Sequence, residues 1–137
     1  MSSLGQLSGR IDRSLKRVKD LTKSLIAIRA EILGKKGDLK LNDDAVAQSK
    51  AAVVEFLTPL IPVLESGNGG TEEQRLILQR LNAGGRQPTD YAADFTIIVT
   101  ALRANTPLAV DQLNKVSEVV GYLQGEVAEE VRRLRSR

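Results

Sequence analysis

Asp90 and Asp94 stand one helical turn apart with Tyr91 beside the first, and a carboxylate pair on one helix face is an arrangement that can exchange protons with a substrate. No nucleophile, electrophile or metal partner is recognisable near them. The expected meaning is therefore an acidic first turn on a helix that follows Pro88. Asp38, Asn42, Asp43 and Asp44 offer oxygen ligands of the kind calcium takes. They lack the alternating ligand spacing, the central glycine and the closing glutamate of a helix-loop-helix calcium site, so helix capping is expected instead. Gly67-Asn68-Gly69-Gly70-Thr71 has the glycine content of a phosphate-cradling loop without its Gly-Lys-Ser/Thr ending. Glu72 and Glu73 put negative charge in the helical turn where a phosphate would sit.

Two absences narrow the chemistry further. The sequence holds no cysteine and no histidine, which removes disulfides, thiolate nucleophiles, the side chain that titrates nearest neutrality and the commonest transition-metal ligands. A di-metal helical bundle wants Glu-x-x-His patterns, and none exists here. We expect no catalytic residue, no cofactor, no metal and no small-molecule substrate: the chain reads as a non-enzyme.

The elements that place these residues are helical. The 137 residues, 42% hydrophobic and 27% charged with only 3% aromatic, predict one domain over 1–137 whose core is built from Leu, Ile, Val and Ala. Ser3 and Gln6 form a capping-box pattern, after which Leu4, Ile11, Val18, Leu25 and Ile32 recur every seven residues, with Leu7, Leu21 and Ile28 interleaved. Leu15 and Ile26 widen that stripe, and Gly34 and Gly37 mark the end of the helix. A second helix is expected from Ala45 to Leu57, and Thr58-Pro59 either opens a new short helix or bends the old one. Thr71 and Gln74 repeat the capping-box pattern before a short helix ending at Gly84-Gly85. A fourth helix runs from about Thr89 to Ala104. Thr106-Pro107 then reads as the opening of a last helix, in which Leu113, Val120, Val127 and Leu134 repeat at seven. The fold class is all-α: an up-down helical bundle of four to five helices whose two long, heptad-patterned terminal helices pack antiparallel.

Charge is segregated along this chain. Residues 1–40 carry a net +6, residues 41–130 a net −7, and the last seven residues four arginines without an acid. Pairing of Glu126, Glu129 and Glu130 with Arg10, Arg13 or Arg17 across the terminal helices would account for part of it. The rest would form an anion surface of Arg10, Arg13, Arg17, Lys23, Arg132, Arg133 and Arg135, which gives nucleic acid as the alternative partner. No aromatic interleaves with these cations to stack on bases. The leading expectation is an adaptor, scaffold or chaperone-like assembly protein. It would join a second copy or another helical protein through a seam of Leu4, Ile11, Val18, Leu25, Leu113, Val120 and Val127. With neither a signal-peptide pattern nor a membrane-length apolar run, a cytoplasmic location is expected, and the scarcity of Trp and Phe on the first helix disfavours a lipid-surface role.

Overall fold

A computed structural model of the chain describes residues 2–135, with side chains from residue 13 to 133 and at residue 135. Among the described residues the structure is all-helical, with five helices: α1 Ser2–Ile32, α2 Asp43–Ser66, α3 Glu72–Ala83, α4 Pro88–Ala104 and α5 Val110–Arg135. The capping box expected at Ser3 and Gln6 lies outside the described side chains.

Local chemistry explains most of the boundaries. Gly34 takes φ +70, and the Lys35 N–H returns to the Ala30 carbonyl at 2.7 Å, so α1 closes on a residue without a Cβ in the left-handed region. Asn42 caps α2, its Oδ1 accepting from the Ala45 N–H at 2.7 Å. Asp43 and Asp44 fall in the first turn, where negative charge complements the helix dipole. The Thr71 hydroxyl accepts from the Gln74 N–H at 3.2 Å, and the Gln74 side chain accepts from the Thr71 N–H at 2.8 Å. The expected capping box is therefore present at α3. Pro88 occupies the start of α4, where its missing N–H leaves nothing unsatisfied.

Of the two alternatives at Thr58-Pro59, the new helix does not occur: α2 runs on as one helix past Leu57, through Pro59 and Pro62. Both prolines lie on its exposed side, while Leu57, Leu60 and Leu64 are wholly buried. Burial of three leucines, each contributing about 1.5–3 kcal/mol, holds the helix against the hydrogen bonds that two prolines remove. Thr106-Pro107 does not open α5 either. Residues 106–109 are not helical, and α5 starts at Val110. Thr106 instead turns back toward α4, its N–H donating to the Ala101 carbonyl at 3.0 Å.

The core lies where α1, α2, α4 and α5 meet, with α3 laid against α5 and in contact with α2 and α4. Leu57, Leu60, Leu64, Ile77, Leu81, Phe95, Ile98, Leu113, Val116 and Val119 are completely buried. Tyr91 and Phe95 meet edge to face with centroids 6.0 Å apart. No described helix is long and apolar enough to cross a membrane.

Candidate interaction surface

The seam that the heptads predict as an interface is largely used inside the chain. Val18, Leu25, Leu113, Val120 and Val127 are each 9% exposed or less, and all but Val127 belong to the main apolar cluster. The physical reason is that α1 packs against α2 and α5, and α5 also against α3 and α4, so the seam is covered without a second molecule. The expectation that these five residues meet a partner is corrected accordingly. Leu4 and Ile11 lie on α1, with side chains outside the described set.

The order of contacts along α1 and α5 is readable from polar pairs. Arg29, near the end of α1, donates to Asn114 near the start of α5 at 2.5 Å. Ser14 and Val18 line a groove of about 450 Å³ together with Leu123, Glu126, Val127 and Glu130, farther along α5, and with Glu72, Glu73 and Leu76 of α3. The groove has an apolar floor and an acidic rim.

Within the expected anion surface the cations have separate fates. Arg17 pairs with Glu73 of α3 at 2.7 Å and lies over the Phe56 ring at 5.7 Å. Arg132 pairs with Glu129 at 3.1 Å and Arg133 with Glu130 at 3.3 Å, all on α5. Glu126 reaches Arg80 of α3. Among the described side chains, then, these glutamates pair on their own helix or with α3, not across to Arg13 or Arg17. The cause is α3, which packs against α5 and reaches α1 through the Arg17–Glu73 pair. Arg13, Lys23 and Arg135 are exposed; Arg10 lies outside the described side chains.

The carboxylates singled out for chemistry are also placed. Asp94 is held by Lys115, and Asp90 is exposed in the first turn of α4. Tyr91 sits in a polar tie: Arg86 donates to its hydroxyl at 2.6 Å, and the hydroxyl donates to Glu118 at 2.5 Å. Burial, with the Glu118 carboxylate beside it, pushes the Tyr91 phenol above its ordinary range. Asp43 accepts from Lys36 at 2.7 Å, which lowers the carboxyl below its usual range and raises the amine. Among the described residues no group of His, Cys, Asp or Glu is arranged to hold a metal.

What the heptad reading passed over is the outer face of α1. Five large apolar side chains are exposed in the described structure: Leu15 39%, Ile26 51%, Leu33 51%, Leu39 51% and Ile97 52%. Two of them, Leu15 and Ile26, are on α1, Leu33 directly follows its last residue, and Leu39 lies in the turn beyond. At 3.6 residues per turn, Leu15, Thr22, Ile26 and Leu33 fall within about 40° of one another, forming one apolar line outside the seam. Exposed Lys16, Lys19 and Lys23 flank it, and exposed Lys35 and Lys40 lie beyond its end. Leu15 and Ile26 were legible as a widening of the stripe; that they stay uncovered follows only from where α2 and α5 pack.

On the matching outer face of α5, two positions between the exposed Asn114 and Arg132 carry no side chain. Gly121 and Gly125 are exposed, and a Cβ at either would meet nothing within 4 Å. Each glycine costs a helix interior about 1 kcal/mol relative to alanine, and the described chain gives no steric reason for either. Compared with protein-family models, with curated proteins and with solved structures, the chain has no match in any of the three.

Proposed function

We propose that this chain is a non-enzymatic assembly protein. In this reading it is an up-down bundle with α1 and α5 antiparallel, their heptad seams forming part of its own core, and its docking face is the outer side of α1. The observation that carries the reading is the line of Leu15, Ile26 and Leu33, with Leu39 beyond it, which holds four of the five exposed large apolar residues among the described side chains. Contiguous exposed apolar surface rimmed by charge marks interaction sites on otherwise well-packed domains. The lysines beside the line fit an acidic or mixed-charge protein surface.

The test compares the wild-type chain with the L15Q/I26Q/L33Q variant. Solution mass by light scattering over a hundredfold concentration range is read beside capture of partners from native extract. Loss of self-association or of specific capture in the variant, with unchanged helicity and melting temperature, is the expected result. Identical behaviour of the two proteins in both assays overturns the reading. Retention on heparin that survives the three substitutions but falls steeply with salt would move the function to the exposed cations and a nucleic-acid backbone.

A further inference from the structure

We infer that the outer side of α1 docks an acidic amphipathic helix of another protein, which lies along Leu15, Ile26 and Leu33 and sets its carboxylates against Lys16, Lys19 and Lys23. This rests on the reading above and names the partner's chemistry.

Spacing supplies the first argument. Leu15 precedes Thr22 by seven residues and Ile26 precedes Leu33 by seven, with a step of four from Thr22 to Ile26. These are d, d, a and a positions of one heptad register. The register lies about 100° round the helix from the seam of Val18, Leu21, Leu25 and Ile28 that the chain buries for itself. Its two remaining positions are Lys19 and Arg29, and Arg29 is turned aside to Asn114. The Thr22 hydroxyl donates to the Val18 carbonyl at 2.8 Å, so it brings no unmet donor into a contact. Leu33 lies just past the end of α1, yet its N–H still donates to the Arg29 carbonyl at 3.0 Å. The line therefore keeps helical register to its last member and runs about 27 Å at 1.5 Å per residue. A second heptad seam of that length fits another helix.

Charge supplies the second and selects the partner. The described ion pairs of α1 are Arg17 with Glu73 and Glu31 with Lys50. Lys16, Lys19 and Lys23 are exposed and belong to no ion pair among the described residues. At 3.6 residues per turn they fall along one edge of the apolar line. Asp20, the one acid between residues 13 and 23, lies farther round the helix than any of the three. A helix with a row of carboxylates beside its apolar face complements both features at once. A second copy offers no such row on α5, where Glu118 holds Arg86, Glu129 holds Arg132 and Glu130 holds Arg133. A phosphate backbone would leave the leucines and Ile26 in water.

The probes are two synthetic peptides of about three heptads with leucine at a and d, one carrying glutamate at e and g and the other lysine. Binding to the full-length chain is read by fluorescence anisotropy of the labelled peptide. The wild type is expected to bind the glutamate peptide at least tenfold more tightly than the lysine peptide. K16E/K19E/K23E is expected to invert that preference, which a merely unfolded variant would not do. L15Q/I26Q, at wild-type helicity, is expected to lose at least tenfold in affinity for the glutamate peptide. Equal binding of the two peptides, or a preference that the charge reversal leaves unchanged, overturns the acidic helix as occupant. A wild type that binds neither peptide also overturns it, and sedimentation with phosphatidylserine vesicles would then give the face to a lipid surface. If neither peptide binds but L15Q/I26Q/L33Q still loses capture from native extract, the docking face stands and only the acidic helix falls.

Discussion

Arg29 Nη2 and Asn114 Oδ1 lie 2.5 Å apart across 85 residues of sequence, and they tie the end of α1 to the start of α5 where both are at the surface. The neighbouring Leu113 is completely buried. The two adjacent positions on α5 therefore set an exposed hydrogen bond to Arg29 beside a side chain wholly enclosed by apolar neighbours. Asn114→Ala is expected to cost no more than about 1 kcal/mol, since an exposed hydrogen bond is replaced by water. Leu113→Ala is expected to cost about 2–5 kcal/mol through lost transfer energy and the cavity left behind. Urea unfolding of both variants checks the contrast, and similar losses would show that the pair does more than mark the register.

Removing the α3 cap has a smaller, local effect. Thr71→Ala deletes the hydroxyl that accepts from Gln74 N–H and is expected to lower stability by about 1 kcal/mol. Thr71→Asp should recover most of it, because a carboxylate also caps. Thermal unfolding of the two variants decides whether the capping box or some other property of Thr71 matters.

The glycines of α5 give a prediction of opposite sign. In dilute solution, where only the single chain is present, Gly121→Ala and Gly125→Ala are each expected to raise stability by up to about 1 kcal/mol. Each added methyl enters open space. Chemical denaturation at low protein concentration checks this. A destabilised alanine variant would mean that the native backbone there is one alanine resists.

Tyr91 predicts a dependence on alkaline pH. Its phenol is raised above the ordinary value by burial first, then by the hydrogen bond to Glu118, so the folded chain holds the proton more tightly than the unfolded chain does. The resulting stabilisation is fully present below the unfolded value of about 10, and is lost as pH rises through the higher folded value. Unfolding free energy should therefore fall above about pH 10 more steeply in the wild type than in Tyr91→Phe. Parallel curves for the two proteins would assign the alkaline loss to other groups.

Much of the fold is written in local pattern. The heptads of α1 and α5, the capping box at Thr71 and the start of α4 at Pro88 depend on neighbours a few residues away, and all were legible. Pro59 and Pro62 left two readings open because propensity is local, whereas the burial of Leu57, Leu60 and Leu64 that decides between them comes from other helices. Thr106-Pro107 misled for a related reason: the Thr106 N–H is used by the end of α4 before α5 begins. The uncovered apolar line of Leu15, Ile26 and Leu33 was the least legible feature. Leu15 and Ile26 are ordinary stripe residues by spacing, and only the packing directions of α2 and α5 decide which side of α1 remains uncovered.

The 85-residue separation between Arg29 and Asn114 also sets an order of events on the ribosome. At about 5–20 residues per second, α1 emerges roughly 4–17 s before the part of α5 that covers its seam. For that interval the nascent helix presents Val18, Leu21 and Leu25 to the cell with α5 not yet made. The chain thus has a defined window for chaperone capture, and slowing synthesis between α2 and α5 would lengthen it without altering a residue of the finished protein.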